Sequence, residues 1–406
     1  MKNRKKLKQS MPFLLILTAL VSACTVQDGL NDYNSEEYGA LRITAEGSLA
    51  ADIFVNGWLH PEKTPAQIDS LPAGEYEITL LYPHRLCDQG RLELAIGAGS
   101  ITDLSFSFSQ KTGGNLSVLS DPAGARVILD DLVLGVTPFH YDGFPIGAYL
   151  LEIQKGSHRS NSQFIEIREN ERFSGSFTLS PRKTLLVEHF SNTNCPPCPQ
   201  AEAIIENLVG EFTKDEVISI GYHASFPSNA DPMYRFAQAA NDARAEFYKL
   251  AAAPAVYLNG KFLMLTSFPQ LEEDLRNAIL ESAQEIPQVL LHIEMTKLRG
   301  LEIECRLHIE CSENLPNGAN LYYAVTEDTI RYETAPGTNG QTHFADVMRA
   351  MHSVPASTIE MNGLHGTITQ KLSLSAIPAG KLWLLVWLQA EDKSIIQSVK
   401  SPLSLF

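Results

Sequence analysis

The stretch 184-TLLVEHFSNTNCPPCPQAEAIIENLVGEF-212 decides how the middle of the chain is read. Its first seven residues have the apolar, β-branched character of a strand, and 200-QAEAIIENLVGEF-212 places Ala203, Ile204, Leu208 and Phe212 near helical spacing. Between them stand Cys195 and Cys198, two residues apart among three prolines. A strand-to-helix junction gives such a pair unpaired backbone N–H groups and the positive end of a helix dipole, both of which favour a thiolate. On this reading Cys195, nearer the loop, is the attacking sulfur and Cys198 the resolving one. Pro199 pushes the residue before it out of helical geometry, so the helix is expected to start only after Pro199. The alternative is a closed, inert disulfide. A structural zinc site needs four ligands, and the pair has no partner pair elsewhere in the sequence.

Working outward, 216-EVISIGYHAS-225 reads as a second strand and 232-PMYRFAQAANDARAEFYKL-250 as a helix. Next come 255-AVYLNG-260 and 261-KFLMLTS-267, joined by the hairpin signal Asn259-Gly260, and a helix near 270–284. This order predicts an α/β domain with a mixed sheet over residues 183–285. Strand, Cys-x-x-Cys, helix and a later proline before a hairpin resemble the thioredoxin-like fold. That resemblance implies a cis Ala253–Pro254 bond, with Pro254 lining the substrate groove, and Glu188 as a buried acid relaying a proton to the resolving cysteine. Desolvation would raise such a carboxyl; a strand-end glutamate facing solvent is the alternative. His223 closes the second strand, where α/β sheets gather site residues, or is a plain surface or core histidine.

Val187-Glu188-His189-Phe190-Ser191 through Cys195-Pro-Pro-Cys-Pro199, with Tyr222-His223, Asp231-Pro232 and 322-YYAVTEDTIRYETAPGTNGQTHFADVMR-349, is similar to the twenty-eight-kilodalton outer-membrane-protein family of Bacteroides-type bacteria. The resemblance spans residues 183 to about 400 and implies an envelope lipoprotein. Residues 287–406 return to alternating strands joined by Gly, Asn and Pro turns, which predicts a β-sandwich. In 301-LEIECRLHIEC-311 both cysteines fall with the apolar residues on alternate positions, as small core residues on one strand face.

Ahead of Cys195, turn, Thr-Pro and Pro-x-Gly-x-Tyr recur: 55-VNG-57, 64-TP-65 and 71-LPAGEYEITL-80 against 129-LDD-131, 137-TP-138 and 144-FPIGAYLLEI-153. Self-similarity at one offset predicts two small β-domains, residues 39–110 and 112–181. The second resembles the PEGA domain, a β-module of surface and envelope proteins, with Pro122-Ala123-Gly124-Ala125 at the naming motif and Gly135-Val136-Thr137-Pro138 after it. The expected fold class is therefore multidomain α/β and all-β: a thioredoxin-like mixed sheet flanked by small N-terminal β-domains and a C-terminal β-sandwich.

Residues 1–23 combine five cations with the apolar run 11-MPFLLILTALVSA-23, too short to span a bilayer, and read as an export signal. Val21-Ser22-Ala23-Cys24 resembles the lipobox of bacterial lipoproteins, which implies lipid attachment at Cys24, a tether over residues 24–38 and an outer-membrane location. Removing residues 1–23 changes the formal charge from −15 to −15 − 5 = −20. A chain this acidic repels nucleic acid and anionic surfaces, so membrane contact is expected from the lipid alone. Two functions follow. One is thiol-disulfide exchange on the thiols or disulfides of exported proteins, through Cys195, Cys198, Pro254 and Glu188, with no cofactor beyond the redox-active Cys195–Cys198 disulfide. The other is a non-enzymatic surface, structural or binding lipoprotein with an inert disulfide.

Overall fold

The computed structural model describes residues 38–403 apart from 111, 300, 377 and 379; the export signal and Cys24 lie outside the described residues. Among those described, 28 strands stand against four α-helices. The chain is mostly β.

Residues 38–110 and 113–178 fold as two modules with one strand plan. In the first, Tyr38–Ala45 pairs antiparallel with Ala66–Pro72 and parallel with Ile101–Phe106. In the second, Gly113–Asp121 pairs antiparallel with Phe139–Pro145 and parallel with Arg172–Thr178. The Pro-x-Gly-x-Tyr stretches make the same closure in both, Tyr76 and Tyr149 each donating 2.9 Å to the carbonyl of Pro72 and Pro145. Arg85–Cys87 pairs separately with Phe108–Gln110, and the other strands merge into one sheet through a pairing of Trp58 with Val133. Gly57 makes that junction possible: at φ +81, a Cβ on it would meet the Asp131 carbonyl oxygen at 2.6 Å.

The rest of the chain overturns the expected thioredoxin-like α/β domain with a separate sandwich behind it. The strands around the cysteine pair are half of one eight-stranded sheet, in spatial order Lys261–Leu263, Ala255–Leu258, Leu185–Ser191, Val217–His223, His343–Pro355, Asn320–Arg331, Leu382–Gln389, Ile395–Pro402. The halves meet where Gly221 pairs with Val347. The physical reason lies in 382-LWLLVWLQ-389, which is apolar on both faces and so belongs between two cores. Leu384, Val386 and Leu388 face a core shared with the four-stranded sheet of Val289–Arg299, Glu302–Cys311, His365–Ser373 and Glu360–Asn362. Leu385 and Trp387 face the opposite way, with Leu186, Phe190, Ile220 and Tyr222.

Helix α1 (Cys198–Val209) carries the second cysteine, and α2 (Pro232–Phe236) and α3 (Gln238–Tyr248) break at Ala237, whose φ of −132° and ψ of 45° are not helical. Helix α4 (Phe268–Ser282) packs beside α1 over Leu185, Val187 and Val256. The big sheet also curls on itself. Thr184 N donates to Gln397 Oε1 at 2.9 Å and Ser398 Oγ to the Thr184 carbonyl at 2.7 Å, so the last strand returns to the first. No helix among the described residues is long and apolar enough to cross a membrane.

Candidate functional site

Cys195 and Cys198 form a disulfide with Cα atoms 5.4 Å apart. The loop holding them is braced from three sides. Asn192 Nδ2 donates to the carbonyls of Ala224 and Ser228, both at 2.8 Å, and Thr193 N donates to Asp231 Oδ2 at 2.8 Å. From the C-terminal half, Asn339 Nδ2 donates to the carbonyls of Asn192 at 3.3 Å and Cys195 at 3.4 Å. Gly337 lies so close to Thr193 that a side chain there would overlap it.

Both cysteines are buried, Cys195 2% and Cys198 0% exposed. Helix α1 opens on Cys198 itself, so the expected start after Pro199 does not occur. Pro199 occupies an early helical position whose N–H would have no intrahelical partner. The Ala253–Pro254 bond is cis, and the Ala253 carbonyl oxygen lies 3.6 Å from Cys195 Sγ. This is a contact rather than a hydrogen bond, because a disulfide sulfur carries no proton. The chain thus brings Cys195, Cys198 and Pro254 together.

Glu188 stands apart from them. It is 0% exposed, but it shares the face of Leu186 and Phe190, whereas α1 packs against the other face, on Leu185 and Val187. Its carboxylate meets Arg244 at 2.6 Å, Tyr222 Oη at 3.1 Å and Tyr248 Oη at 2.5 Å. Both the solvent-facing alternative and the relay behind Cys198 give way to a buried ion pair. Arg244, with its guanidinium 5.3 Å from the Trp387 ring centre, is the partner the sequence reading missed. Its signal was an arginine in the alanine-rich part of the helix, 237-AQAANDARAEF-247, alongside an acid within an apolar strand.

On the α1 side sit His189 and His223. His223 Nδ1 lies 2.7 Å from Asp231 Oδ2, and Asp231 also caps α2, accepting from Met233 N at 2.8 Å. Burial alone would raise the Asp231 carboxyl, but His223 and the amides of Thr193 and Tyr234 outweigh it and hold it below the ordinary value. His189 is depressed chiefly by burial, with Glu202 opposing, and its Nδ1 is buried without a partner. Gly221 leaves room for that ring; a Cβ there would meet His189 Cε1 at 2.9 Å. Among the described residues no group of three His, Cys, Asp or Glu side chains is arranged to hold a metal ion. Cys87, Cys305 and Cys311 are buried free thiols, and burial pushes Cys305 up to about 12.

Comparison with known proteins fixes one module. Residues 113–183 match the PEGA domain. No curated protein matches the chain. Among solved structures, HBP35 of Porphyromonas gingivalis is similar at 12% identity and a TM-score of 0.44, over 55% of this chain and 76% of that one. A DUF3823 family protein from Bacteroides ovatus follows at 10% and 0.19, over 72% and 100%. Another from Parabacteroides merdae stands at 8% and 0.19, over 91% and 98%. The resemblance of residues 183 to about 400 to the twenty-eight-kilodalton family has no counterpart among these matches. The PEGA module and the disulfide suit an extracellular or envelope protein.

Proposed function

We propose that this chain is a non-enzymatic surface or binding protein of the cell envelope, tethered at Cys24 to the outer membrane, in which Cys195–Cys198 is an inert staple. The observation that carries this reading is the burial of both sulfurs beneath a loop held by Asn192, Asp231 and Asn339. Exchange requires an incoming thiolate to reach one sulfur along the S–S axis, and a covered disulfide refuses it. The test is native-state reduction: the folded chain is held in dithiothreitol, alkylated without denaturant and mapped by mass spectrometry. Cys195 and Cys198 should stay unlabelled until denaturant is added; prompt labelling of Cys195 in the folded chain overturns the reading.

The second reading, exchange on exported proteins with Cys195 attacking and Cys198 resolving, is favoured by the contact between Cys195 and the Ala253–Pro254 bond. Its signature is a partner trapped on Cys195 in the Cys198→Ser chain. Lipid attachment has its own check, in the mass of the N-terminal peptide of the envelope-extracted protein.

A further inference from the structure

A cavity of about 730 Å³ lies between the two N-terminal modules and the Ile395–Pro402 edge of the large sheet. Its size is that of a pocket for a small ligand. Two groups of cations line it. In one, Arg126 donates 2.6 Å to Ser401 Oγ and lies 5.5 Å from the Trp58 ring centre, with Lys155 nearby. In the other, Lys214 Nζ sits 3.7 Å and Lys400 Nζ 5.2 Å from the Trp383 ring centre.

Of these four, Lys400 alone has a carboxylate within ion-pair reach among the described residues, Asp346 at 2.6 Å. Trp58 holds Arg126, Trp383 holds Lys214 and the Ala123 carbonyl accepts from Lys155 Nζ at 3.0 Å, none of which cancels a charge, since a ring or a carbonyl carries no net charge. Burial lowers three groups on the wall, and for two of them a neighbouring cation adds to it. Burial pushes Arg126 down to about 10. Lys214 is depressed by burial and then by the charge of Lys400. His292, on the same wall, is pushed down to about 3 by burial and then by Lys155 and Arg126. The wall is mixed rather than uniformly positive: with these cations, Arg91 and Lys381 it carries Glu75, Glu77, Asp131, Glu152 and Asp215.

Other features narrow the occupant. Glu77 on the wall accepts from Arg91 on one oxygen, Asp215 accepts from Ser160 N and Oγ on both, and each keeps lone pairs for hydroxyl donors. Cations already lie over Trp58 and Trp383, which leaves little open ring face for a base to stack on.

We propose that this cavity binds a short acidic carbohydrate, its carboxylates on the two cation groups and its hydroxyls on the wall carboxylates. The site is separate from the cysteine pair and stands whether or not that pair is inert. The test is calorimetric titration of the full chain with trigalacturonate, with maltotriose as the neutral counterpart and hexaglutamate as an acidic peptide. Trigalacturonate should bind, more weakly as salt rises, and maltotriose should not. Lys214→Gln should weaken binding at least five-fold; Lys214 has no ion pair among the described residues, so the thermal midpoint should hold. Arg126→Gln should weaken it too. No heat with trigalacturonate, or equal affinity in Lys214→Gln, overturns the site, and tighter binding of hexaglutamate overturns the carbohydrate assignment.

Discussion

Glu188 and Arg244 are each about as buried as a charge can be, 0% and 1% exposed, and each is the other's compensation. Removing one partner of such a pair strands the other's charge in a low dielectric, at a cost of about 3–5 kcal/mol. Glu188→Ala should therefore lower urea stability by about 4 kcal/mol, and Glu188→Leu combined with Arg244→Met should recover most of it. If Glu188 instead served the cysteines, the single change would leave stability nearly intact. Asp231 makes a pH prediction. Its folded value is depressed below the ordinary 3.8, so its contribution is present above that value and lost as pH falls through the lower, folded one. Asp231→Ala removes a helix cap and a charged hydrogen bond, at about 3 kcal/mol near neutral pH. In acid unfolding the gap between wild type and variant should close below pH 3.8. Neither role was legible beforehand: spacing from Cys195 suggested depth for Glu188, but strand parity, which decides the face, needs a known register.

At the scale of elements, the cysteine bridge closes a very short loop. Chain-entropy arguments give such a staple about 2 kcal/mol. The Cys195→Ser/Cys198→Ser chain should lose about that much in guanidinium unfolding while α1 keeps its helical signal, because Ala201, Ile205 and Leu208 anchor it in the core. The strands were largely visible in the sequence. Asn259 and Gly260 take the positive φ values, 49° and 83°, that an Asn-Gly hairpin requires, and Glu302–Cys311 alternates as its pattern indicates. What the sequence obscured was partnership. A run such as 382-LWLLVWLQ-389 says that both faces are covered, not by what, and one of its cores reaches back as far as Leu186.

For the whole molecule, one sheet with two cores means that residues 183–285 are not a self-sufficient unit. Cut out, they would uncover Ile220 and Tyr222, which pack in one core with Ala324, Met348, Leu385 and Trp387. Expressed alone, this segment should give poorly dispersed amide spectra and no cooperative unfolding, whereas residues 183–403 should give well-dispersed spectra and a cooperative transition. A sharp transition for the short piece would refute the single-sheet architecture.

The curl that brings Ile395–Pro402 back to Leu185 also has a mechanical side. The chain passes from the PEGA module into the sheet through Arg182, whose carbonyl accepts from Gln397 Nε2 at 3.0 Å, beside the two Thr184 bonds. A pull on the N-terminal modules is thus met at once by the last strand. The load is shared across the seam before it can peel the first strand away, and the buried bridge at Cys195 lies beyond that seam, out of the line of force.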